Sequence, residues 1–140
     1  MIKRIFIAAW PMLVVFVIDN LVFNGLGFYT RWFWFDIFMH IVGGFVAGWS
    51  GARFLSTEKE LVIKPKWIYW LLVLGITALI GIGWEVYELY LQKITGFITQ
   101  PSIADTVADL VNDLIGAMLF CLFFSRNYYQ AIKSGKVREN

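Results

Sequence analysis

The sequence predicts an all-α membrane protein in which four transmembrane helices form one bundle. Two bulk observations support this class. The chain of 140 residues is 59% hydrophobic and only 16% charged, whereas soluble domains average about 25% charged residues. Its mean hydropathy is +0.67. A third observation sets the number of helices, because mostly apolar stretches of about 20 residues, the length that crosses about 30 Å of hydrocarbon, occur four times.

The four predicted spans follow one another with short polar connections, and residues 1–125 are predicted to form a single domain. Lys3 and Arg4 precede the first apolar stretch, as in a secretory signal, but no small-residue cleavage site follows it. We therefore predict a retained signal anchor that serves as the first span. The remaining residues, 126–140, are predicted to be a cytoplasmic tail. The spans cover about residues 5–23, 32–55, 67–92 and 103–124.

The basic residues predict the orientation of the bundle. In a four-span arrangement, ten of them lie on one side of the membrane, and only Arg31 and Lys93 lie on the other. Because cytoplasmic loops carry an excess of Lys and Arg, both termini are predicted to be cytoplasmic. The ten residues are Lys3, Arg4, Arg53, Lys59, Lys64, Lys66, Arg126, Lys133, Lys136 and Arg138.

Several function classes are excluded by composition and motif content. The formal net charge of +2 is too small, and the basic residues too scattered, for a nucleic-acid-binding protein. Cys121 is the single cysteine, so neither an intramolecular disulfide nor a cysteine-rich zinc site can form. The chain also lacks the Gly-x-Ser-x-Gly and His-Glu-x2-His motifs of common hydrolases.

Seven of the ten acidic residues lie in or at the ends of the predicted spans, together with His40, the single histidine. Ionisable groups inside a membrane are costly and usually functional. The predicted topology places all eight in the outer half of the bilayer. A structural alternative exists for Asp105, which is spaced to cap a helix beginning after Ser102, and for Asp19, which can end the first helix. The acidic residues are Asp19, Asp36, Glu85, Glu88, Asp105, Asp109 and Asp113.

These polar residues recur at helical spacing on faces that also carry small residues. Asp36 and His40 are four apart, and their face continues through Gly43, Gly44, Ala47 and Gly51. The aspartates of the fourth span are also four apart, and Gly116 and Ala117 continue their stripe. Because small residues let membrane helices approach closely, we expect the polar faces to converge inside the bundle.

Several buried carboxylates repel one another, so they must share protons or surround a cation. One histidine with several carboxylates suits a divalent metal such as Mg²⁺, Mn²⁺, Ca²⁺, Fe²⁺ or Zn²⁺. In an alternative arrangement, Asp36 orients His40 without binding the metal. The predicted catalytic residues are His40, Glu85 and Asp113, and the predicted metal ligands are Asp36, His40, Glu85, Glu88, Asp109 and Asp113.

Three polar elements occur in this order in a known group of proteins. They are Asp36-x3-His40-x2-Gly43, Gly83-Trp84-Glu85-x2-Glu88 and Asp105-x3-Asp109-x3-Asp113-x2-Gly116. With these elements the chain resembles the small bacterial inner-membrane proteins of the YjdF type, which are broadly VanZ-like. The resemblance implies a multi-pass protein of the cell inner membrane with a role in the envelope, and it implies no established reaction.

Three functions remain open at this point. The first is a metal- or proton-dependent membrane enzyme that acts at the outer leaflet on a lipid or a lipid-linked envelope substrate. The second is a proton or cation carrier, against which the scarcity of polar residues in the inner half weighs. The third is a structural or accessory protein whose buried acids specify helix packing. The small-residue faces also leave a homo-oligomer open.

Overall fold

The computed structural model describes residues 2–32, 34–58, 61–96 and 102–135, and within these ranges every regular element is a helix. The prediction of an all-α protein is therefore confirmed. The predictions for Lys59, Lys136 and Arg138, for the end of the tail and for part of the connection before Ser102 lie outside the described residues. The helices are α1 (Ile2–Ile18), α2 (Phe28–Arg31), α3 (Phe35–Thr57), α4 (Lys66–Thr95), α5 (Ile103–Phe123) and α6 (Arg126–Ser134).

A π-helical segment, Asp19–Asn24, continues α1 toward the first connection. The chain then reverses at Gly27, whose φ of 70° lies in the left-handed region that glycine adopts without steric cost. The short helix α2 follows directly and ends before α3 begins at Phe35. The connection between the first two predicted spans therefore includes a helical turn of its own.

Helix α3 is the centre of the bundle, because it contacts α1, α4, α5 and α6. Its closest neighbour is α5, and glycines make this approach possible. A methyl group at Gly44 would overlap the backbone of Asp113, and one at Gly116 would overlap the backbone of Ile41. The small-residue faces of the two helices therefore meet, as predicted, and their backbones lie too close for larger residues.

The bundle has two ends that differ in character. We call the end at which α3 stops and α4 starts the tail end, and the opposite end the site end. A cluster of buried apolar side chains fills the tail end, and α6 completes it by burying Ile132. Tyr128 of α6 accepts a hydrogen bond from Trp49 Nε1 at 2.7 Å, and the hydroxyl of Tyr129 donates to the carbonyl of Lys64. These contacts hold α6 against the bundle.

Helix α5 begins as its capping pattern predicts. The side chain of Ser102 accepts a hydrogen bond from the backbone N–H of Asp105 at 3.2 Å. Asp105 thus belongs to the first turn, where a negative charge stabilises the positive end of the helix dipole. At the end of α4, Gly96 adopts a φ of 74° and terminates the helix in the left-handed conformation.

Among the described residues, three helical stretches are long and apolar enough to cross a membrane: Ile5–Phe23, Lys66–Thr95 and Ile103–Phe123. Helix α3 has 23 residues, which is a sufficient length at 1.5 Å per residue. Its glycines and polar side chains, however, make it less apolar than the other three. Length and composition therefore support three of the four predicted spans.

Candidate metal centre

The imidazole of His40 lies at the centre of a polar cluster, which consists of Asp36, His40, Asp109 and Asp113. His40 is 6% exposed and follows Asp36 by one helical turn on the inward face of α3. This spacing places the two side chains on the same face. His40 Nε2 lies 3.8 Å from Asp36 Oδ1. The predicted pairing of these two residues is therefore present in the structure.

Helix α5 supplies two carboxylates to the same imidazole, one at each nitrogen. Asp109 Oδ1 lies 3.8 Å from His40 Nε2, and Asp113 Oδ1 lies 3.3 Å from His40 Nδ1. Both aspartates are buried, because they face α3 from one side of α5. His40 thus has Asp36 and Asp109 at one ring nitrogen and Asp113 at the other.

Glycine residues make room for the carboxylate of Asp113. The position that a Cβ atom of Gly81 would occupy in α4 overlaps Asp113 Oδ2, so a side chain there would displace the carboxylate. On the other side, Gly44 of α3 allows the backbone of Asp113 to approach. Asp113 is therefore positioned by two helices at once, between α3 and α4.

The predicted residues of α4 lie at the edge of this arrangement. Glu85 is 4% exposed and occurs one turn after Gly81 on the same face of α4. Gly81 on this face is where the carboxylate of Asp113 approaches α4. Glu88 accepts a hydrogen bond from Trp84 Nε1 at 3.1 Å. The four residues Asp36, His40, Asp109 and Asp113 thus meet around one imidazole, and the two glutamates adjoin them from α4.

The sequence prediction omitted one polar pair from the site. Asp19 is buried, and the hydroxyl of Tyr29 donates a hydrogen bond to its carboxylate. Burial and the neighbouring carboxylate of Asp19 raise the pKa of Tyr29, so this phenol stays protonated and remains a donor. The position of Asp19 within the span was visible in the sequence. Its pairing with Tyr29 depends on the chain reversal at Gly27, which no local pattern indicates.

A cavity of about 50 Å³ adjoins the imidazole on the side of α1. Its volume accommodates a few water molecules but no large ligand. No Lys or Arg occurs among the described residues that line it. A methyl group at Gly43 would meet no atom within 4 Å, so the cavity is open above this glycine. The polar lining consists of Asp19, Tyr29, Asp36, His40, Thr77 and Asp113, and the apolar lining includes Met12, Val15, Phe16, Met39, Ala47, Ile80 and Trp84.

The geometry of the cluster suits a metal ion. One ligand atom each from Asp36, His40 and Asp109 lies within 4.8 Å of the other two. Metal ligands of this kind lie about 2.0–2.2 Å from the ion, so the three atoms would have to move closer together when an ion binds. Asp113 lies at the second ring nitrogen of His40, which is the position from which a carboxylate commonly orients a metal-binding histidine.

The comparison with protein families gives a match over most of the chain. A model described as "Predicted membrane protein (DUF2238)" matches residues 5–129. The chain belongs to the DUF2238 family. The matched residues include every member of the polar cluster, and membership is consistent with the resemblance to proteins of the YjdF type. No curated protein matches the chain, and no solved structure does. As a member of DUF2238, the protein is a membrane protein.

Proposed function

We propose that this DUF2238 protein is a four-span protein of the cell inner membrane with both termini in the cytoplasm. The fourth span in this proposal is α3, which is long enough to cross the hydrocarbon. Because α1, α4 and α5 surround α3, its glycines and polar side chains need not face lipid. We also propose that the protein is related to VanZ-like proteins and therefore has a role in the cell envelope.

The positions of the basic residues support this orientation. Exposed Lys64, Lys66, Arg126 and Lys133 all lie at the tail end of the bundle. An excess of positive charge marks the cytoplasmic side. A reporter protein fused after Asn140 should therefore be active in the cytoplasm, whereas periplasmic activity would contradict the proposed topology.

We further propose that the cluster binds a divalent cation through Asp36, His40 and Asp109. The observation that carries this proposal is the position of His40, which has two carboxylates at one ring nitrogen and a third at the other. Three carboxylates surround one histidine, and those of Asp109 and Asp113 are buried. When ionised, they carry excess negative charge that a divalent cation would neutralise. Asp113 would then hold the imidazole in the orientation that presents Nε2 to the ion.

The proposed activity is the hydrolysis of a lipid or a lipid-linked envelope substrate, for which Asp36, His40 and Asp109 would hold the ion. A bound divalent metal supplies an activated water molecule. The cavity beside His40 has room for such a water. Glu85 is the proposed acid or base of the reaction, because it is buried on the face of α4 that also carries Gly81, where the carboxylate of Asp113 approaches.

Metal analysis tests the proposal directly. The protein is purified in detergent, loaded separately with Zn²⁺, Mn²⁺ and Mg²⁺, desalted and analysed for bound metal. We expect one of these ions at a stoichiometric level, and its loss in His40→Ala and Asp109→Asn. Asp113→Asn should weaken affinity by about 10–100-fold without abolishing binding, as is usual for a residue that orients a ligand.

Glu58→Gln is the matched control. It removes a carboxylate just beyond the tail end of α3, about 27 Å along the helix from His40. This variant should retain the metal content of the unaltered protein. If no ion is retained under any loading condition while the protein stays folded, the metal proposal is wrong. The cluster would then serve helix packing or proton transfer.

A further inference from the structure

A second, larger depression lies between α4 and α5 at the site end. It is a groove of about 460 Å³, which falls within the usual range of ligand pockets, about 300–1,000 Å³. Its walls are mostly apolar, and the buried side chain of Glu85 interrupts them. Ser102 and Thr106 line the groove near the start of α5. The apolar walls consist of Ile82, Val86, Leu89, Ile103 and Leu110.

The groove opens on a surface that faces lipid. Ile82, Val86, Leu89 and Ile103 are all strongly exposed, and they belong to two helical stretches that are long and apolar enough to cross a membrane. In the proposed topology, the medium outside these side chains is hydrocarbon. An apolar groove of this kind has a lipid chain as its natural occupant, because water would leave its apolar walls unfavourably hydrated.

The groove also lies directly beside the candidate metal centre. Thr106 and Leu110, which line it, come three residues before and one residue after Asp109 in α5. The side chain of Leu110 reaches to 3.0 Å from the Cβ position of Gly81, where the carboxylate of Asp113 also approaches. Leu110 therefore separates the groove from the His40–Asp113 pair by a single side chain.

We propose that the groove binds one hydrocarbon chain of a membrane lipid, with the polar part of that lipid beside Thr106 and Glu85. Ile82 and Leu110 lie about one turn farther toward the middle of the bundle than Glu85 and Thr106, so a hydrocarbon chain can extend inward from these polar groups. Leu89 and Ile103 lie on the site-end side of the polar groups. The proposal rests on the proposed function, and it specifies a lipid with a hydrocarbon chain that enters sideways between α4 and α5.

Photo-crosslinking tests this assignment. The protein is reconstituted in phosphatidylcholine vesicles that contain phosphatidylglycerol with a diazirine in one acyl chain. After irradiation, the labelled residues are mapped by mass spectrometry. We expect severalfold more labelling at Val86 and Leu110 than at Val107 and Val111, which are exposed on α5 outside the groove lining. Equal labelling of the two pairs would overturn the proposal, because it would show only the ordinary lipid shell.

A matched pair of variants separates the groove from the general surface. Val86→Trp places a large side chain inside the groove, whereas Val107→Trp adds the same side chain to a similarly exposed position outside its lining. The first should abolish the excess labelling at Leu110, and the second should leave it unchanged. If both variants label Leu110 as strongly as the unaltered protein does, the groove is not the site.

Metal content measured on the same samples keeps the two proposals distinguishable. Val86→Trp should retain the metal while losing the excess labelling. Excess labelling in a protein that binds no metal would support the groove and contradict the metal proposal. Bound metal with labelling equal to that of the control positions would support the metal proposal and overturn the groove proposal.

Discussion

Buried polar groups at the two ends of the bundle interact with different kinds of partner. Toward the tail end, the buried hydroxyl of Ser125 donates to the carbonyl of Cys121, four residues earlier in the same stretch of chain. The hydroxyl of Ser56, which is also buried, likewise donates to the carbonyl of Arg53 within α3. At the site end, His40 interacts with aspartates of α5, and Tyr87 of α4 donates to Asn20, which lies in the π-helical segment.

The comparison shows which buried groups depend on the tertiary structure. A hydroxyl that bonds to its own helix is satisfied as soon as that helix forms. The carboxylates around His40 meet only when α3 and α5 pack together, and together they carry charge that hydrocarbon does not solvate. Stability should therefore depend mainly on close packing, and ligand binding should depend on the site end alone.

The largest expected effect tests the packing that brings the two aspartates to His40. Gly44→Ala should destabilise the protein by about 3 kcal/mol, the upper end of the usual cost of overpacking, because the added methyl group overlaps the backbone of Asp113. Unfolding in detergent measures this loss. Gly43→Ala is the control, since a Cβ there meets open space. It should be neutral or slightly stabilising, and equal losses in both variants would contradict the packing argument.

A smaller effect is expected in the apolar core of the tail end. Phe120 is 2% exposed and packs edge-on against Phe45, with ring centroids 5.7 Å apart. Phe→Ala in a soluble core costs about 3–5 kcal/mol. Between helices in lipid, where the transfer contribution is small, we expect about 2 kcal/mol for Phe120→Ala. Metal affinity should not change, and its loss in a folded variant would show that the two ends are coupled.

The smallest effect compares single hydroxyl groups. Tyr87→Phe removes an interhelical hydrogen bond of 2.8 Å to Asn20, and such bonds contribute about 0.6 kcal/mol on average in membrane proteins. Ser125→Ala removes a hydrogen bond to the backbone carbonyl of Cys121. It should lower the free energy of unfolding by less than Tyr87→Phe does. Both values come from unfolding in detergent under the same conditions. A larger loss in Ser125→Ala would reverse the distinction between the two ends.

Much of this architecture follows from local sequence patterns. The apolar stretches predicted the long helices, and the spacing of Asp36 and His40 predicted a shared face. The glycines of α3 and α5 predicted where those helices approach, and the position of Ser102 predicted the start of α5. The helices, the shared face and the start of α5 depend on residues within one or two helical turns. The small-residue stripes showed which faces can approach closely, although the contact itself joins distant parts of the chain.

Other features depend on how distant helices are arranged. No spacing indicates that Asp113 faces one imidazole nitrogen while Asp109 faces the other, because this depends on the rotation of α5 about its axis. The pairing of Asp19 with Tyr29 depends on the turn between them.

The π-helical segment at the end of α1 has a consequence for how one helix can serve two neighbours. A π-helix turns more slowly per residue than an α-helix, because its hydrogen bonds span five residues instead of four. Asp19 and Asn20 are consecutive, yet they contact different partners: Asp19 contacts Tyr29 beside the cavity, and Asn20 contacts Tyr87 of α4. The segment thus changes the direction in which successive side chains point around the helix axis. A single-residue insertion or deletion in it would change which side chains face the cavity, while the packing of α3 against α5 stayed intact.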